Sequence, residues 1–168
     1  YSIKTTCGDF KSKACCGSWG KRSNIDIKWK RPFINNNSDR LSNYVGIKYH
    51  VTGNIPSDMI TLHNFKDGYC GISKIENDLS CLCFFIKASN LKNCGNSIER
   101  VELEILSQNP QLKKLLESIT KRYDAPLSIS QVSLSNKKAV EHDVLMLGDA
   151  AGMISPLCGN GMSMAMHS

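Results

Sequence analysis

The stretch of residues 144–162 constrains the fold of this chain more than any other. It begins with a short apolar run, 144–147, which is typical of a fully buried strand. Residues 148–152 then place the carboxylate of Asp149 among residues small enough for a ligand to approach the backbone. A turn at 156–161 leads into a helix predicted from Met162 onward. This order of strand, acidic residue, glycine loop and helix N-terminus predicts a site for a polar, anionic ligand.

Composition indicates a globular domain with a real core, because 41% of the 168 residues are hydrophobic and 7% are aromatic. No apolar run approaches the roughly 20 residues of a membrane span, and the first residues do not form a signal peptide. We therefore expect a cytoplasmic protein without a transmembrane segment, for which peripheral membrane contact stays possible. Because the chain does not begin with Met, we expect its true N-terminus to be missing.

The net charge and the cysteine spacing argue against two classes of partner, nucleic acids and metal ions. The net charge of +6 comes without a recognised DNA- or RNA-binding motif, so we predict no nucleic-acid partner, and that alternative rests on charge alone. The eight cysteines lack the paired spacing of a zinc site, and several lie in apolar runs. We predict reduced thiols and no metal.

Four runs of strand length, 44–51, 59–65, 69–75 and 79–86, are separated by short turns and predict an antiparallel sheet. Residues 97–123 have a helical apolar pattern, which Asn109-Pro110 divides into two helices. A further strand is predicted at 128–134. Before the sheet, we expect strand-like pieces in 1–16 around a Gly8-Asp9 turn, and an irregular segment at 24–42.

The segment 17–23, Gly-Ser-Trp-Gly-Lys-Arg-Ser, follows a short apolar run. Two glycines and a serine after a strand indicate a second place where the backbone meets a ligand. An ordinary exit from a strand into a loop has comparable weight on this segment alone.

The spacing of Gly148-Asp149-Ala150-Ala151-Gly152, Pro156 and Gly159-Asn160-Gly161 resembles a flavin-contacting motif of the aromatic hydroxylase and geranylgeranyl reductase superfamily of FAD-dependent enzymes. Segment 17–23 resembles the other internal motif of that family, usually Gly-Ala-Asp-Gly-x-x-Ser, but Trp19 stands where Asp is usual. In the family this Asp takes part in contacts with the flavin and the nicotinamide nucleotide. The presence of Trp19 puts those contacts in question for this chain. The family's GxGxxG turn, which binds the ADP half of FAD, does not occur in this sequence.

The resemblance implies an α+β chain: an antiparallel substrate-domain sheet with helices, flanked by parts of a Rossmann-like FAD-binding domain. The implied domains are 1–40 and 135–168 for FAD and 41–134 for the substrate. We expect an internal part of a longer flavoprotein. The implied cofactor-binding residues are Gly17, Gly20, Gly148, Asp149, Ala150, Ala151, Gly152, Pro156, Gly159, Asn160, Gly161 and Met162. Arg22 is a further candidate, for which contact with the cofactor phosphate and simple solvation have equal weight.

In this interpretation Asp149 accepts hydrogen bonds from ribityl hydroxyls, and the helix after Gly161 adds partial positive charge near the flavin. The resemblance implies a flavin reduced by NAD(P)H, which then hydroxylates or reduces an apolar aromatic or isoprenoid substrate. Tyr69, Phe84 and Phe85 are candidate substrate-lining residues, and no catalytic residue is assigned because the cofactor carries the chemistry. The alternative is a non-catalytic module that binds an apolar ligand or a protein. We expect the isolated 168 residues to retain FAD weakly or not at all, and to be inactive.

Overall fold

The computed structural model describes residues 1–35 and 43–167, without the side chains of Asn35 and Cys158. The chain forms two compact units. We call Tyr1–Asn37 with Ser133–Ser168 the split unit, and Ser38–Val132 the inserted unit. The predicted assignment of FAD to the first and substrate to the second stays a prediction.

The inserted unit is built on one antiparallel sheet. Its strands are β4 (Tyr44–Thr52), β5 (Ile60–Phe65), β6 (Gly68–Lys74), β7 (Ser80–Lys87), β8 (Thr120–Lys121) and β9 (Leu127–Val132). The spatial order is β5-β6-β7-β4, and both β8 and β9 pair with the other edge of β4. The four strands predicted from the turns are confirmed. The expectation that short connections join neighbours is wrong for β4 and β5, because β4 pairs with β7 along eight residue pairs instead.

One face of this sheet carries the main core. Strand alternation points Ile47, Leu82 and Phe84 toward this face, where each is at most 1% exposed. Three helices contribute to the same core: α3 (Ala88–Asn93), α4 (Ile98–Glu104) and α5 (Pro110–Ser118). The predicted division at Asn109-Pro110 is confirmed, since Pro110 begins α5 and the Asn109 side chain accepts from the backbone N–H groups of Gln111 and Leu112.

The opposite face, which we call the open face, is only partly covered. Phe85 is stacked on Tyr44 with ring centroids 4.6 Å apart, and it contacts the Tyr69 ring at 6.0 Å. Ile129 of β9 lies against Gly46 and Phe85 on this face. Other large apolar side chains in register with the open face are exposed, including Leu62 at 51% and Leu127 at 69%.

The split unit contains a hairpin, β1 (Ser2–Thr5) and β2 (Gly8–Lys11), and a small three-stranded sheet. The strands of that sheet are β3 (Cys16–Gly17), β10 (Val140–Glu141) and β11 (Val144–Met146), in the order β10-β11-β3. Its helices are α1 (Asn24–Lys28), α2 (Pro32–Asn35) and α6 (Gly161–Met166). Short 3-10 turns span Gly148–Ala150 and Pro156–Cys158.

Several predictions for the split unit are wrong. Gly8 and Asp9 lie in β2 rather than in the turn. The part of the predicted irregular segment up to residue 35 contains α1 and α2, because Ser23 and Asp26 form a capping box that starts α1. Residues 36–42 lie outside the described residues. The strand at 144 is not fully buried, since Val144 and Met146 face the core while Leu145, on the other face, is 47% exposed.

The cysteines named in the structure, which do not include Cys158, are free thiols: Cys70 and Cys94 are buried, and Cys7, Cys16 and Cys83 are exposed. Among residues 1–35 and 43–167, no three His, Cys, Asp or Glu side chains form a group that could hold a metal ion. Within the same residues, no helix has the length and apolar character needed to cross a membrane.

Candidate functional site: a cleft between two glycine loops

A parallel strand pair brings the two glycine motifs together. Met146 of β11 is in register with Gly17 of β3, and the Leu147 N–H donates to the Gly17 carbonyl at 2.9 Å. Because carboxyl ends of parallel strands meet at one edge, the loops that follow them leave from the same edge. The segment after Gly17 and the segment after Leu147 therefore face one cleft.

This cleft has a volume of about 640 Å³. It is lined by Ser18, Gly20, Leu147, Gly148, Asp149, Gly161, Met162 and Ala165. A second cavity of about 210 Å³ shares Gly148, Asp149, Gly161 and Ala165 and adds Ala151, Gly152, Ile154 and Met164. Both sequence motifs thus contribute to one continuous site.

Asp149 is the acidic residue of this site. It is exposed, as a ligand-binding carboxylate needs to be. Its backbone carbonyl accepts a hydrogen bond from Lys137 Nζ at 2.7 Å. Lys137 therefore holds the Asp149 main chain, while the Asp149 side chain stays accessible from the cleft.

Lys137 connects the two loops. Its Nζ also donates to the Lys21 carbonyl at 2.8 Å and lies 4.4 Å from the centre of the Phe33 ring. Partial burial lowers the pKa of Lys137 from its ordinary value of 10.5 to about 8; Asp26 and Asp149 act against that shift, and the nearby Arg31 and Lys21 charges reinforce it. Sequence patterns gave no signal for this residue beyond its place in a polar loop.

The glycines of the cleft fall into two groups, which differ in backbone conformation. Gly148 has φ +58° and Gly20 has φ +81°, a left-handed backbone that side chains rarely adopt. Gly152 and Gly161 have ordinary φ values. Apart from their chain neighbours and, for Gly161, the backbone of its own helix, no heavy atom lies within 4 Å of where their Cβ atoms would be. The backbone at these two positions is open to a ligand.

Several predicted cofactor contacts need correction. Ala150 is 0% exposed and belongs to the core of the split unit, so its side chain does not face the cleft. Gly17 is buried beneath Trp19, whose ring occupies the space that a Cβ at position 17 would need. Gly17 is thus explained by the tryptophan rather than by a ligand. Four further predicted residues, Arg22, Pro156, Gly159 and Asn160, lie outside the lining of the two cavities, and their contacts with a cofactor stay predictions.

Trp19, which stands where the motif that segment 17–23 resembles usually has Asp, turns inward. Its Nε1–H donates to Asp26 Oδ1 at 3.1 Å, and its ring meets Trp29 edge to face at 5.7 Å. Asp26 in turn pairs with Arg31 at 2.9 Å, and both side chains are 1% exposed. Sequence reasoning assigned Arg31 to a loop and missed this buried pair.

Helix α6 begins at Gly161, one residue before its predicted start, and it spans six residues. Asn160 precedes it without a capping side-chain hydrogen bond. Met162 does line the cleft, and it is 86% exposed.

The three candidate substrate residues do not lie together. Phe84 is in the core with the helices and is 1% exposed, so its assignment as a lining residue does not fit the structure. Tyr69 and Phe85 are on the open face and contact each other. The cause is strand alternation, which sends consecutive residues of β7 to opposite faces.

Comparisons with known proteins agree with this architecture. The flavin-dependent halogenase CmlS has a TM-score of 0.70 with 14% identity, covering 99% of this chain and 31% of its own. The flavin-dependent brominase Bmp2 has a TM-score of 0.69 with 19% identity, covering 95% and 41%. HpxO of Klebsiella pneumoniae, solved with FAD and uric acid, has a TM-score of 0.60 with 17% identity, covering 98% and 43%.

No family model matches the chain. Among curated proteins, conditioned medium factor receptor 1 of Dictyostelium discoideum is 26% identical over 141 residues, 82% of this chain and 24% of that protein. The chain therefore spans less than half the length of each of these four proteins. These likenesses confirm the predicted fold class: a partial FAD-binding fold with an antiparallel sheet and helices, as found in flavin-dependent enzymes.

Proposed function

We propose that this chain is part of an FAD-dependent oxidoreductase and that the cleft of the split unit contacts the flavin nucleotide. The observation that carries the proposal is the meeting of both glycine motifs in one cleft, through the parallel pairing of Met146 with Gly17. Two segments with separate sequence resemblances to flavin motifs line the same space, although they lie far apart in the chain.

The residues present fit such a ligand. The exposed Asp149 carboxylate can accept hydrogen bonds from ribityl hydroxyls. A charged acceptor makes stronger hydrogen bonds than a neutral one. Open backbone at Gly152 and Gly161 leaves room for close approach. Lys137 holds the Asp149 carbonyl and thereby orients the loop that presents the carboxylate.

When bound, the flavin supplies the electron transfer, and the chain's own residues bind, orient and shield it. We propose NAD(P)H as the reductant and hydroxylation or reduction of a small apolar molecule as the reaction. Phe85 and Tyr69, with the exposed Leu62 and Leu127, make the open face suitable for the apolar substrate. The enzymes with this fold named above are halogenases and an enzyme solved with uric acid.

Flavin binding tests the proposal directly. The protein is purified at its full natural length, because the 168 residues alone are expected to retain FAD weakly or not at all. It is titrated with FAD, and quenching of flavin fluorescence gives the Kd. Asp149→Ala is expected to weaken binding about tenfold or more, the equivalent of one charge-assisted contact at roughly 1.5–3 kcal/mol. Asp58→Ala, an exposed Asp of the inserted unit, is the matched control and is expected to leave the Kd unchanged. The proposal fails if FAD does not bind saturably, or if both variants bind it equally well.

A second candidate function is a non-catalytic module that binds an apolar ligand or a protein. The curated relative that supports it is named a receptor. The exposed apolar side chains of the open face would serve either function. Binding of an apolar probe such as 1-anilinonaphthalene-8-sulfonate, lost in Leu62→Ser and unaffected by Asp149→Ala, together with no saturable FAD binding, would favour the module.

A further inference from the structure

A buried charge network connects the two loops of the cleft. Arg31 is 1% exposed and donates from three nitrogens. Its Nε binds Glu141 Oε2 at 2.6 Å, and its Nη1 binds Asp26 Oδ1 at 2.9 Å. The remaining bonds go to main-chain carbonyls: Nη1 to Ala150 at 3.1 Å and Nη2 to Lys138 at 3.2 Å.

The network also reaches the first loop. Asp26 Oδ1 accepts from the Trp19 indole, and Asp26 Oδ2 accepts from the Ser23 backbone N–H at 2.6 Å. One carboxylate thus binds both ends of the Trp19–Ser23 loop, and the Arg31 guanidinium carries the connection to Ala150. Ala150 directly follows Asp149, so its carbonyl fixes the backbone beside the proposed flavin-binding carboxylate.

The charges around Arg31 balance. Asp26 and Glu141 supply two negative charges, and Arg31 with the neighbouring Lys137 supplies two positive ones. A buried ion pair adds little stability compared with apolar side chains of the same volume, but removal of one partner is costly. A network of this kind is therefore better explained by the geometry that it imposes than by the free energy that it contributes.

We propose that Arg31 is a positioning residue that sets the main-chain path of both loops of the cleft through Asp26 and the Ala150 carbonyl. This proposal rests on the proposed function in identifying the cleft as the flavin site. It explains the departure at Trp19, whose indole N–H holds the carboxylate that orients the guanidinium. Lysine cannot replace Arg31, because one ammonium on a flexible stem does not reproduce a planar set of donors.

The first test needs no cofactor. Amide hydrogen exchange, followed by mass spectrometry, is compared between the parent protein and Arg31→Met in a peptide covering 147–152. In the structure, the Ala151 and Gly152 N–H groups donate to the Gly148 carbonyl. We expect their exchange to become about tenfold faster, the effect of about 1.4 kcal/mol of lost local stability. Peptides from β4 and β7 are expected to stay unchanged.

Two further variants keep the test decisive. Trp19→Phe preserves an aromatic ring over Gly17 but removes the indole donor, and it is expected to raise exchange in 147–152 several-fold. If Arg31→Met does not fold, this variant decides. Arg100→Met is the control, because Arg100 is 53% exposed and pairs with Glu104 on the surface. Unchanged exchange in 147–152 in the folded variants overturns the proposal.

The second test uses FAD. Arg31→Lys is expected to raise the Kd for FAD about tenfold and to shift the visible absorption band of the bound flavin. The reason is that the main chain of the two cleft loops would contact the flavin from changed positions. If Arg31 only stabilised the fold, Arg31→Lys would lower the fraction of protein that binds FAD but would not shift the absorption band of the bound flavin. That result would overturn the proposal. If the parent protein binds no FAD, the proposed function fails, and hydrogen exchange alone still judges the positioning role.

Discussion

Different interactions stabilise the interior of each of the two units. Among residues 43–132, the inserted unit has a core of thirteen buried residues on one side of a wide sheet, almost all of them apolar. The buried cluster of the split unit contains Val144, Met146 and Ala150, with two tryptophans and a charged network beside it. The cleft therefore depends on directional bonds, whereas the sheet depends on apolar burial, which has no direction.

The largest expected effect comes from the apolar core. Phe84→Ala is expected to lower the free energy of unfolding by about 3–5 kcal/mol, because a large buried ring is replaced by a cavity. Urea denaturation followed by circular dichroism measures it. Leu127→Ala, at a side chain that is 69% exposed, is the control and is expected to change that value by no more than about 0.5 kcal/mol. Equal effects for the two substitutions would refute the assignment of the sheet's two faces.

A middle-sized effect is expected from a backbone position in the cleft. Gly148→Ala forces a side chain into φ +58° and is expected to cost about 1–2 kcal/mol. Gly152→Ala has ordinary φ and open space, so it is expected to change stability by less than about 1 kcal/mol, in the stabilising direction. Thermal unfolding of both variants measures the difference. A Gly148→Ala protein as stable as the Gly152→Ala protein would contradict the backbone assignment.

A further expected effect concerns the dependence of stability on pH. Because the pKa of Lys137 is lowered to about 8 in the folded state, the folded protein holds fewer protons than the unfolded chain between pH 8 and 10.5. Lys137 therefore contributes a rise in stability with pH through that window. Urea midpoints of the parent and Lys137→Met proteins are compared at pH 7 and pH 10. The parent is expected to gain more stability than the variant, and a parallel pH response in both would contradict the assignment.

Sequence patterns predicted the inserted unit well because its information is local. The alternation of apolar residues and the turns at 53–56, 66–68 and 76–78 determine β4 to β7, and Asn109-Pro110 determines the start of α5. The pairing of β4 with β7 could not be predicted, since short connections favoured β5 as its neighbour. The sequence makes Phe84 and Phe85 both candidates for lining the substrate site, but strand alternation places them on opposite faces of the sheet.

The cleft was predicted in part, through Asp149 and the glycine spacing. Its supporting residues escaped prediction, because they are joined by contacts that no periodic pattern records. Arg31 and Ala150 are separated by 119 residues, and Lys137 and Lys21 by 116. The sequence marks Trp19 only as a departure from the resembled motif, and its contact with Asp26 depends on how the segment folds.

The pairing of Tyr44 with Val132 has a consequence for how the protein is assembled during folding. A flexible loop as long as the separation of Arg31 and Ala150 costs about 4 kcal/mol of chain entropy to close. Once the sheet has formed, the entry and exit of the inserted unit are neighbours, so most of that entropy has been lost already. The sheet is therefore expected to fold first as a contiguous segment, and the two glycine loops then meet across a short effective distance. Substitutions that slow formation of β4 or β9 should delay completion of the cleft, although neither strand lines it.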